Sequence, residues 1–228
     1  MKTYDVFLFD ADGTLFDYDK AEEYALKAMF GRCGFAYSEN IRQVYRDINE
    51  KAWKDYENGV ITKTELQSVR FERLFDVMGV RRDAMEFNLQ YLYELGKGSY
   101  LIDGAYEICS EIVSKGKKIY IVTNGIITTQ ESRIKHSLIK DCVTDFFVSE
   151  FVGYQKPQIE YFDYVFSHIQ KVEKDKILII GDSLSADIAG GNNAGIDSCW
   201  YNASGAANNT EIIPTYEIKS LYDVRMFA

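Results

Sequence analysis

Short apolar runs alternate with stretches of helical spacing along most of the chain. The runs are Val6–Phe9, Lys118–Val122, Asp145–Phe151, Ile177–Ile180 and Ser198–Tyr201. Each run contains apolar residues at successive positions, which is typical of strands buried on both faces in a parallel sheet. Half-exposed antiparallel strands would instead alternate apolar and polar residues. We therefore predict one strand at each run.

Helical periodicity separates the later runs. One helix is indicated by apolar spacing at Ala105, Ile108, Cys109 and Ile112. Asp103 is its predicted N-cap and Gly116 its predicted terminator. The same spacing predicts helices over residues 129–139 and 159–169. Alternating strands and helices predict an α/β fold with a doubly wound, mainly parallel sheet, whose ligands bind at the carboxyl ends of the strands.

Residues 17–98 interrupt this alternation. They contain helical patterns, such as the one through Ile41, Val44, Tyr45, Ile48 and Ala52. We predict that residues 1–16 and 99–228 form the α/β core and that 17–98 form an inserted α-helical cap domain. An insertion directly after the first strand is suited to a lid that excludes water from a site there.

Charge and composition narrow the range of partners. The 228 residues include 26 Lys+Arg and 35 Asp+Glu, a net charge of −9. Because polyphosphate binding requires a basic face, we predict no nucleic-acid polymer as partner. A small phosphorylated metabolite held by a few local groups is compatible with this charge, and it is the partner that the motifs below predict. No apolar run approaches the ~20 residues that cross a bilayer, so no membrane partner is expected. The absence of a secretory signal and the 4 scattered cysteines favour a cytoplasmic protein with reduced thiols, while the oligomeric state stays open.

The segment 10–14, with the sequence DADGT, follows the first predicted strand. A calcium loop of the EF-hand type would need glycine and glutamate where this chain has Leu15 and Ala21. A catalytic pair agrees better with the sequence. Asp10 would attack phosphorus, and Asp12 would protonate the leaving oxygen and later deprotonate water. The same residues also make a good turn, so the segment alone does not decide between a turn and a site.

Two further aspartates follow the fourth predicted strand. Asp182 ends that strand, and Asp187 lies in the first turn of the helix predicted next. At about 4 Å, two like charges repel by roughly 4 kcal/mol at an effective dielectric of 20, so three carboxylates in one pocket need protons or a cation. Mg²⁺ is the predicted cofactor because it prefers oxygen ligands. Asp187 suits either support of a metal site or a simple interaction with the helix dipole.

Groups of opposite polarity follow the second and third predicted strands. Thr123 and Asn124 end the second strand, and Lys156 follows the third, directly before Pro157. A hydroxyl, backbone N–H groups and an ammonium can stabilise the equatorial oxygens of a transferring phosphoryl group. We predict Thr123, Asn124 and Lys156 as phosphate-binding residues.

Four segments in this order resemble the haloacid dehalogenase (HAD) superfamily. They are Asp10-x-Asp12-Gly-Thr-Leu, Thr123-Asn, Lys156-Pro and Gly-Asp182-Ser-x-x-x-Asp187. The resemblance implies that Asp10 is a nucleophile that forms an aspartyl-phosphate and that Asp12 is the general acid/base. It also implies Mg²⁺ held by Asp10, the backbone carbonyl of Asp12 and Asp182, with Asp187 in support. Asp12 argues for phosphoryl chemistry, because the dehalogenases of this superfamily lack that second aspartate.

Finer matches resemble the bacterial pyrimidine 5′-nucleotidase branch of the superfamily, among them Gln130 and Arg133 after the TNG segment at 123–125. This resemblance implies an Mg²⁺-dependent nucleoside 5′-monophosphate phosphatase. The alternatives are a sugar-phosphate or phosphoglycolate phosphatase and a β-phosphoglucomutase-like phosphotransferase. A receiver-type signalling domain is the non-enzymatic alternative, although such domains are smaller and have no cap. By analogy Arg70 of the predicted cap is a candidate substrate contact, with a solvated helix arginine as the alternative.

Overall fold

The structure, a computed structural model, describes residues 2–228, and these contain a six-stranded parallel sheet. Its strands are β1 (Val6–Phe9), β2 (Lys118–Thr123), β3 (Asp145–Val148), β4 (Ile177–Gly181), β5 (Asp197–Tyr201) and β6 (Tyr216–Ile218). Their order across the sheet is β3-β2-β1-β4-β5-β6, and neighbouring strands pair in parallel. Because the chain first builds outward from β1 on one side and then on the other, the predicted doubly wound α/β fold is confirmed.

Helices account for most of the remaining regular structure. They are α1 (Tyr18–Cys33), α2 (Glu39–Glu57), α3 (Lys63–Met78), α4 (Ala84–Leu95), α5 (Ala105–Ser114), α6 (Ile127–His136), α7 (Ser149–Val152), α8 (Ile159–His168) and α9 (Ala189–Ala194). A π-helical turn at Leu184–Ile188 precedes α9, and short 3-10 helices occupy Lys174–Lys176 and Leu221–Phe227. Within residues 2–228 we find no helix with the length and apolar character that crossing a membrane requires.

Strand β1 shows why the apolar runs form a buried sheet. Phe7 and Phe9 pack on one face of the sheet with residues of α5 and α6, whereas Val6 and Leu8 pack on the other face with residues of α8. All four side chains are fully buried. Since burial of one such side chain contributes roughly 1.5–3 kcal/mol, a strand covered on both faces has to be apolar throughout.

The position of β1 determines where polar side chains meet. Phe9, its last residue, pairs with Ile121 of β2 on one side and with Ile180 of β4 on the other. The backbone N–H of Asp10 continues the ladder by donating to the Ile180 carbonyl at 2.9 Å. The residues that follow β1, β2 and β4 therefore lie side by side at the switch point of the sheet.

The chain folds as two compact units. One extends to Asp19 and resumes over Ser99–Ala228, and the other is Lys20–Gly98. The second unit consists of α2–α4 and most of α1. Its interior is aromatic: Phe71 lies 5.2 Å from Tyr45 and 4.8 Å from Phe87, measured between ring centroids. Assignment of 17–98 as a cap over the site remains a prediction.

Some local predictions are wrong. The run predicted as one strand over Asp145–Phe151 ends at Val148, because the chain turns into α7, whose Glu150 side chain accepts the Ile127 N–H at 2.9 Å. Strand β6 was not predicted, because it has only 3 residues and is buried on one side alone. The helix at α6 begins and ends earlier than predicted, and α8 ends one residue earlier.

The ends of α5 illustrate one wrong and one correct expectation. Asp103 is not its cap: Gly104 occupies that position with φ 83°, and no side chain caps the helix. Gly116 is its terminator as predicted, with φ 77°. The Lys117 N–H then donates to the Ile112 carbonyl, the hydrogen bond that closes such a glycine-terminated helix.

Candidate active site

Three carboxylates meet at the carboxyl ends of β1 and β4. Asp10 follows β1, Asp182 follows β4, and Asp187 lies in the π-helical turn. One oxygen of each lies within 4.8 Å of the others. Asp10 and Asp187 are buried, whereas Asp182 is exposed. The fold thus brings Asp10, which follows β1, together with the two aspartates that follow β4.

Two glycines make room for these carboxylates. At Gly13 an added Cβ would lie 2.5 Å from Asp182 Oδ2, and the backbone has φ 81°. At Gly181 an added Cβ would overlap the Asp187 carboxylate. A side chain at either position would displace a carboxylate, so both positions require glycine. Gly13 thereby lets the turn after Asp10 approach the end of β4.

Lys156 supplies the opposite charge within this group. Its Nζ donates to Asp10 Oδ1 at 2.6 Å, to Asp187 Oδ1 at 2.6 Å and to the Val122 carbonyl at 2.7 Å. The side chain is 2% exposed. A buried ammonium is tolerated only when paired and hydrogen-bonded, and each of its three donors has an acceptor here. Lys156 therefore fixes Asp10 and Asp187 relative to the end of β2.

Asn124 holds the backbone of Lys156. Its side chain donates to the Lys156 carbonyl and accepts the Lys156 N–H, both at 2.9 Å. The Lys156–Pro157 peptide bond is cis. Both polar atoms of the Asn124 side chain therefore bind the Lys156 backbone, and contact of Asn124 with phosphate stays a prediction. Thr123 is buried at the end of β2, where its hydroxyl accepts the Gly125 N–H at 3.0 Å.

The charges in this group are unbalanced, because it contains three carboxylates and one ammonium, which pairs with Asp10 and Asp187. Burial raises the pKa of Asp10 well above its usual value; Lys156 opposes this, and Asp187 and Asp182 add to it. Burial and then Asp187 raise the pKa of Asp182 to about 7, although water offsets part of this at an exposed side chain. Burial alone would lower the pKa of Lys156, but Asp10 and Asp187 outweigh it and the pKa is raised.

This charge imbalance and the donor atoms are compatible with a hard divalent cation. The group offers carboxylate oxygens, the ligands that Mg²⁺ prefers. A cation would also oppose the burial and the repulsion from Asp187 and Asp182 that together raise the pKa of Asp10. The residues present therefore agree with the predicted magnesium site.

Asp12 has partners that the sequence analysis did not assign. Gln130 Nε2 donates to Asp12 Oδ2 at 2.5 Å, and Arg133 Nη1 donates to Asp12 Oδ1. At the sequence level Gln130 and Arg133 only supported the resemblance to the nucleotidase branch, without a role of their own. The signal that could have found them is their spacing of three on α6, directly after β2, which places both on one helix face.

Two other residues stabilise the segment after β4. The Trp200 indole donates from Nε1 to the Asp182 carbonyl at 2.9 Å. The Ser183 N–H donates to Asp187 Oδ2 at 3.1 Å, and its hydroxyl accepts the Ala186 N–H at 3.1 Å. At the sequence level Trp200 belongs to the fifth apolar run and to the finer resemblance, and neither assigns it a role in the site. Asp187 thus binds both Lys156 and the backbone of its own turn.

Arg70 lies inside the helical unit and is 2% exposed. It donates to Asn49 Oδ1 at 3.2 Å and to Asn88 Oδ1. It is therefore not the solvated helix arginine that was the alternative at the sequence level. Its predicted substrate contact is untested, and both of these hydrogen bonds are internal to the unit.

A family model for haloacid dehalogenase-like hydrolases matches residues 4–195. The chain belongs to this family. The match spans β1 through α9 and includes all the site residues predicted in the α/β core, from Asp10 to Asp187. This hydrolase is therefore an enzyme, as the motifs predicted.

Relatives match this hydrolase over nearly its whole length. Pyrimidine 5'-nucleotidase PynA of Streptococcus pneumoniae (strain ATCC BAA-255 / R6) is 37% identical over 97% of this chain and 93% of its own. Pyrimidine 5'-nucleotidase YjjG of Escherichia coli (strain K12) is 31% identical over 97% of this chain and 96% of its own. The crystal structure of the HAD-hydrolase YfnB from Bacillus subtilis, bound to magnesium, is 40% identical with a TM-score of 0.94, covering 99% of this chain and 98% of that one. The predicted resemblance to this branch is confirmed.

Proposed function

We propose that this hydrolase is an Mg²⁺-dependent phosphomonoesterase that works through an aspartyl-phosphate on Asp10, with nucleoside 5′-monophosphates as substrates. The observation that carries the proposal is the group of Asp10, Asp182 and Asp187, in which Asp10 and Asp187 pair with the buried Lys156 ammonium. The similarity to PynA and YjjG, both named as pyrimidine 5'-nucleotidases, supports the substrate class.

The first half of the reaction forms the covalent intermediate. A carboxylate oxygen of Asp10 attacks phosphorus, and the bond between phosphorus and the leaving oxygen breaks. Asp12 gives its proton to that oxygen, so the alcohol leaves neutral. Lys156, which contacts Asp10 at 2.6 Å, would stabilise the charge on the phosphoryl oxygens together with Thr123 and the main chain of Asn124.

The second half regenerates the enzyme. Asp12, now a carboxylate, accepts a proton from water as the water oxygen attacks phosphorus. The bond between phosphorus and Asp10 breaks, inorganic phosphate leaves, and Asp12 is protonated for the next cycle. Asp12 thus acts as acid in one half and base in the other, which requires its carboxyl group to stay near the phosphorus in both.

Mg²⁺ would be held by Asp10, Asp182 and the main-chain carbonyl of Asp12, with Asp187 in support through Lys156 and Ser183. When bound, the ion supplies positive charge that neutralises the phosphoryl oxygens. Asp187 itself contacts Lys156, so its contribution would be to fix the ammonium rather than to bind substrate.

A phosphate-release screen over phosphorylated metabolites, with Mg²⁺ and with EDTA, tests the proposal. We expect release from nucleoside 5′-monophosphates that EDTA abolishes and that Asp10→Asn abolishes. Release mainly from hexose phosphates or phosphoglycolate would agree with the proposed phosphatase mechanism but would overturn the proposed substrate class. Phosphate transferred to a second sugar hydroxyl would instead indicate a phosphotransferase, and a stable phosphoprotein without turnover would indicate a signalling domain.

A further inference from the structure

Both carboxylate oxygens of Asp12 are bound by donors from one helix. Gln130 donates to Oδ2 at 2.5 Å and Arg133 donates to Oδ1. The donors are three residues apart on α6, so they leave the helix on the same face. Since each oxygen has its own donor, rotation of the carboxylate about the Cβ–Cγ bond would break one contact or the other.

The donors are themselves held in place. Arg133 is 0% exposed and Gln130 is 1% exposed. The Arg133 guanidinium lies over the Phe16 ring, 4.8 Å from its centroid. Phe16 accepts the Gly13 N–H and forms a bridge with Asp12, so the ring belongs to the same turn as the carboxylate. The arginine is thus fixed by the segment whose side chain it binds.

Stability alone does not explain a buried arginine at this position. Replacing a buried ion pair with apolar residues is often neutral or stabilising, because two charges must be removed from water to form the pair. The Asp12 side chain keeps 29% of its surface exposed, while Arg133 keeps none. The buried Arg133 guanidinium therefore holds a carboxylate that stays accessible to solvent. This arrangement suits a carboxylate that reacts with substrate and has to keep one orientation.

Gly125 allows Gln130 to reach Asp12. An added Cβ at Gly125 would lie 2.9 Å from Gln130 Cγ and 3.0 Å from Gln130 Cδ, with a closer approach to its amide nitrogen. Gly125 also donates its N–H to the Thr123 hydroxyl at 3.0 Å. The turn after β2 therefore leaves space for the Gln130 side chain while contacting a predicted phosphate-binding residue.

We propose that Arg133 and Gln130 are positioning residues that orient the Asp12 carboxyl group for proton transfer to the leaving oxygen and from water. The inference rests on the proposed function, since Asp12 must be the acid/base for its orientation to matter. General acid–base catalysis contributes about 10²–10⁴-fold, and a displacement of about 1 Å can cost about 10²-fold. Loss of either donor should therefore lower the rate without removing the nucleophile Asp10.

Two substrates with different leaving groups separate this role from a structural one. A nucleoside alkoxide is a poor leaving group that needs the proton of Asp12, whereas p-nitrophenolate leaves well without it. For Arg133→Met we expect kcat/KM to fall about 100-fold for a nucleoside 5′-monophosphate and less than about tenfold for p-nitrophenyl phosphate. Equal losses for both substrates, or activity near wild type for both, would overturn the proposal.

Companion variants keep the test decisive. Arg133→Lys retains the charge and should recover part of the nucleotide activity. Gln130→Met removes a donor without burying or exposing a charge, so it carries the test if Arg133→Met unfolds; it should show the same leaving-group dependence with a smaller loss. Arg225→Met is the control, because it removes a half-exposed arginine that pairs with Glu111. It should change kcat/KM for neither the nucleoside 5′-monophosphate nor p-nitrophenyl phosphate.

A double variant shows whether Arg133 acts through Asp12. Adding Arg133→Met to Asp12→Asn should cost less than about threefold beyond Asp12→Asn alone, because residues that act as a unit are not additive. A full additional 100-fold loss would overturn the positioning role. If Asp10→Asn stays active, the proposed function fails instead, and if Asp12→Asn lacks the leaving-group dependence, the acid/base role of Asp12 fails.

Discussion

The α/β unit and the helical unit each bury an arginine against aromatic rings, but the two arginines have different partners. Arg133 lies over Phe16 and binds the carboxylate of Asp12. Arg70 lies 5.2 Å from the ring centroids of Phe71 and Tyr91 and binds the neutral amides of Asn49 and Asn88. Burial and ring contacts are thus alike, and the accepting group differs.

This difference indicates what each arginine does. A charged acceptor that is itself partly exposed, as Asp12 is, places the arginine next to groups that can react. Neutral amides that are buried, as those of Asn49 and Asn88 are, accept hydrogen bonds from Arg70 that join three helices of the unit. We infer a functional support in the first case and a packing role in the second, and the predictions below test that contrast.

The largest effect is expected at Lys156. Lys156→Met would leave Asp10 and Asp187 as buried carboxylates without their ammonium, and breaking a buried ion pair of this kind costs about 3–5 kcal/mol. Activity should fall to background, because the phosphoryl oxygens would also lose their cation. Chemical denaturation in EDTA and phosphate release in Mg²⁺ measure the two effects. Wild-type turnover in the folded variant would show that catalysis does not need Lys156 and would contradict its predicted role.

A smaller effect is expected at Gly125. Gly125→Ala should push Gln130 away from Asp12, and losing the alignment of about one hydrogen bond lowers nucleotide kcat/KM by roughly tenfold. Gly31→Ala is the matched control in the helical unit, because Gly31 lies in α1 and an added Cβ would meet nothing within 4 Å. That control should leave kcat unchanged and raise stability by about 0.5–1 kcal/mol. Equal kinetics for both variants would contradict the role of Gly125.

The smallest effect on activity is expected at Arg70. Arg70→Met should lower the free energy of unfolding by about 1–3 kcal/mol, because buried amides of Asn49 and Asn88 lose their donor. In the folded variant we expect kcat and KM close to wild type, measured well below its Tm. A rise of KM with unchanged stability would instead favour the substrate contact predicted from the sequence, and the contrast with Arg133 would fail.

The parallel sheet was predictable because β1 and β4 are buried at every residue and β2 at every residue except Lys118, so each strand contains a continuous apolar run. Strand β6 was not, since its pairing with β5 depends on tertiary contact rather than on any run in the sequence. The cap of α5 was missed for a related reason. Gly104 takes the cap position with φ 83°, whereas the sequence offers Asp103, a common capping residue, one position earlier.

The proximity of Asp10 and Asp182 followed from their places after β1 and β4, neighbouring strands of the sheet, and Asp187 follows in the first turn after Asp182. The supports of these residues could not be predicted in the same way. Trp200 binds a main-chain carbonyl and Asn124 binds a main-chain segment, and neither bond leaves a pattern in the sequence. Arg133 was predictable in part. Its spacing of three from Gln130 can be read from the sequence, but its acceptor, Asp12, cannot.

Trapping the covalent intermediate tests the central claim most directly. The enzyme would be mixed with a nucleoside 5′-monophosphate and Mg²⁺, quenched in acid within its first turnovers, digested, and analysed by mass spectrometry. We predict a phosphoryl group on Asp10 that is absent from the Asp10→Asn variant. Turnover with no phosphorylated peptide, or with the group on another side chain, would contradict the account.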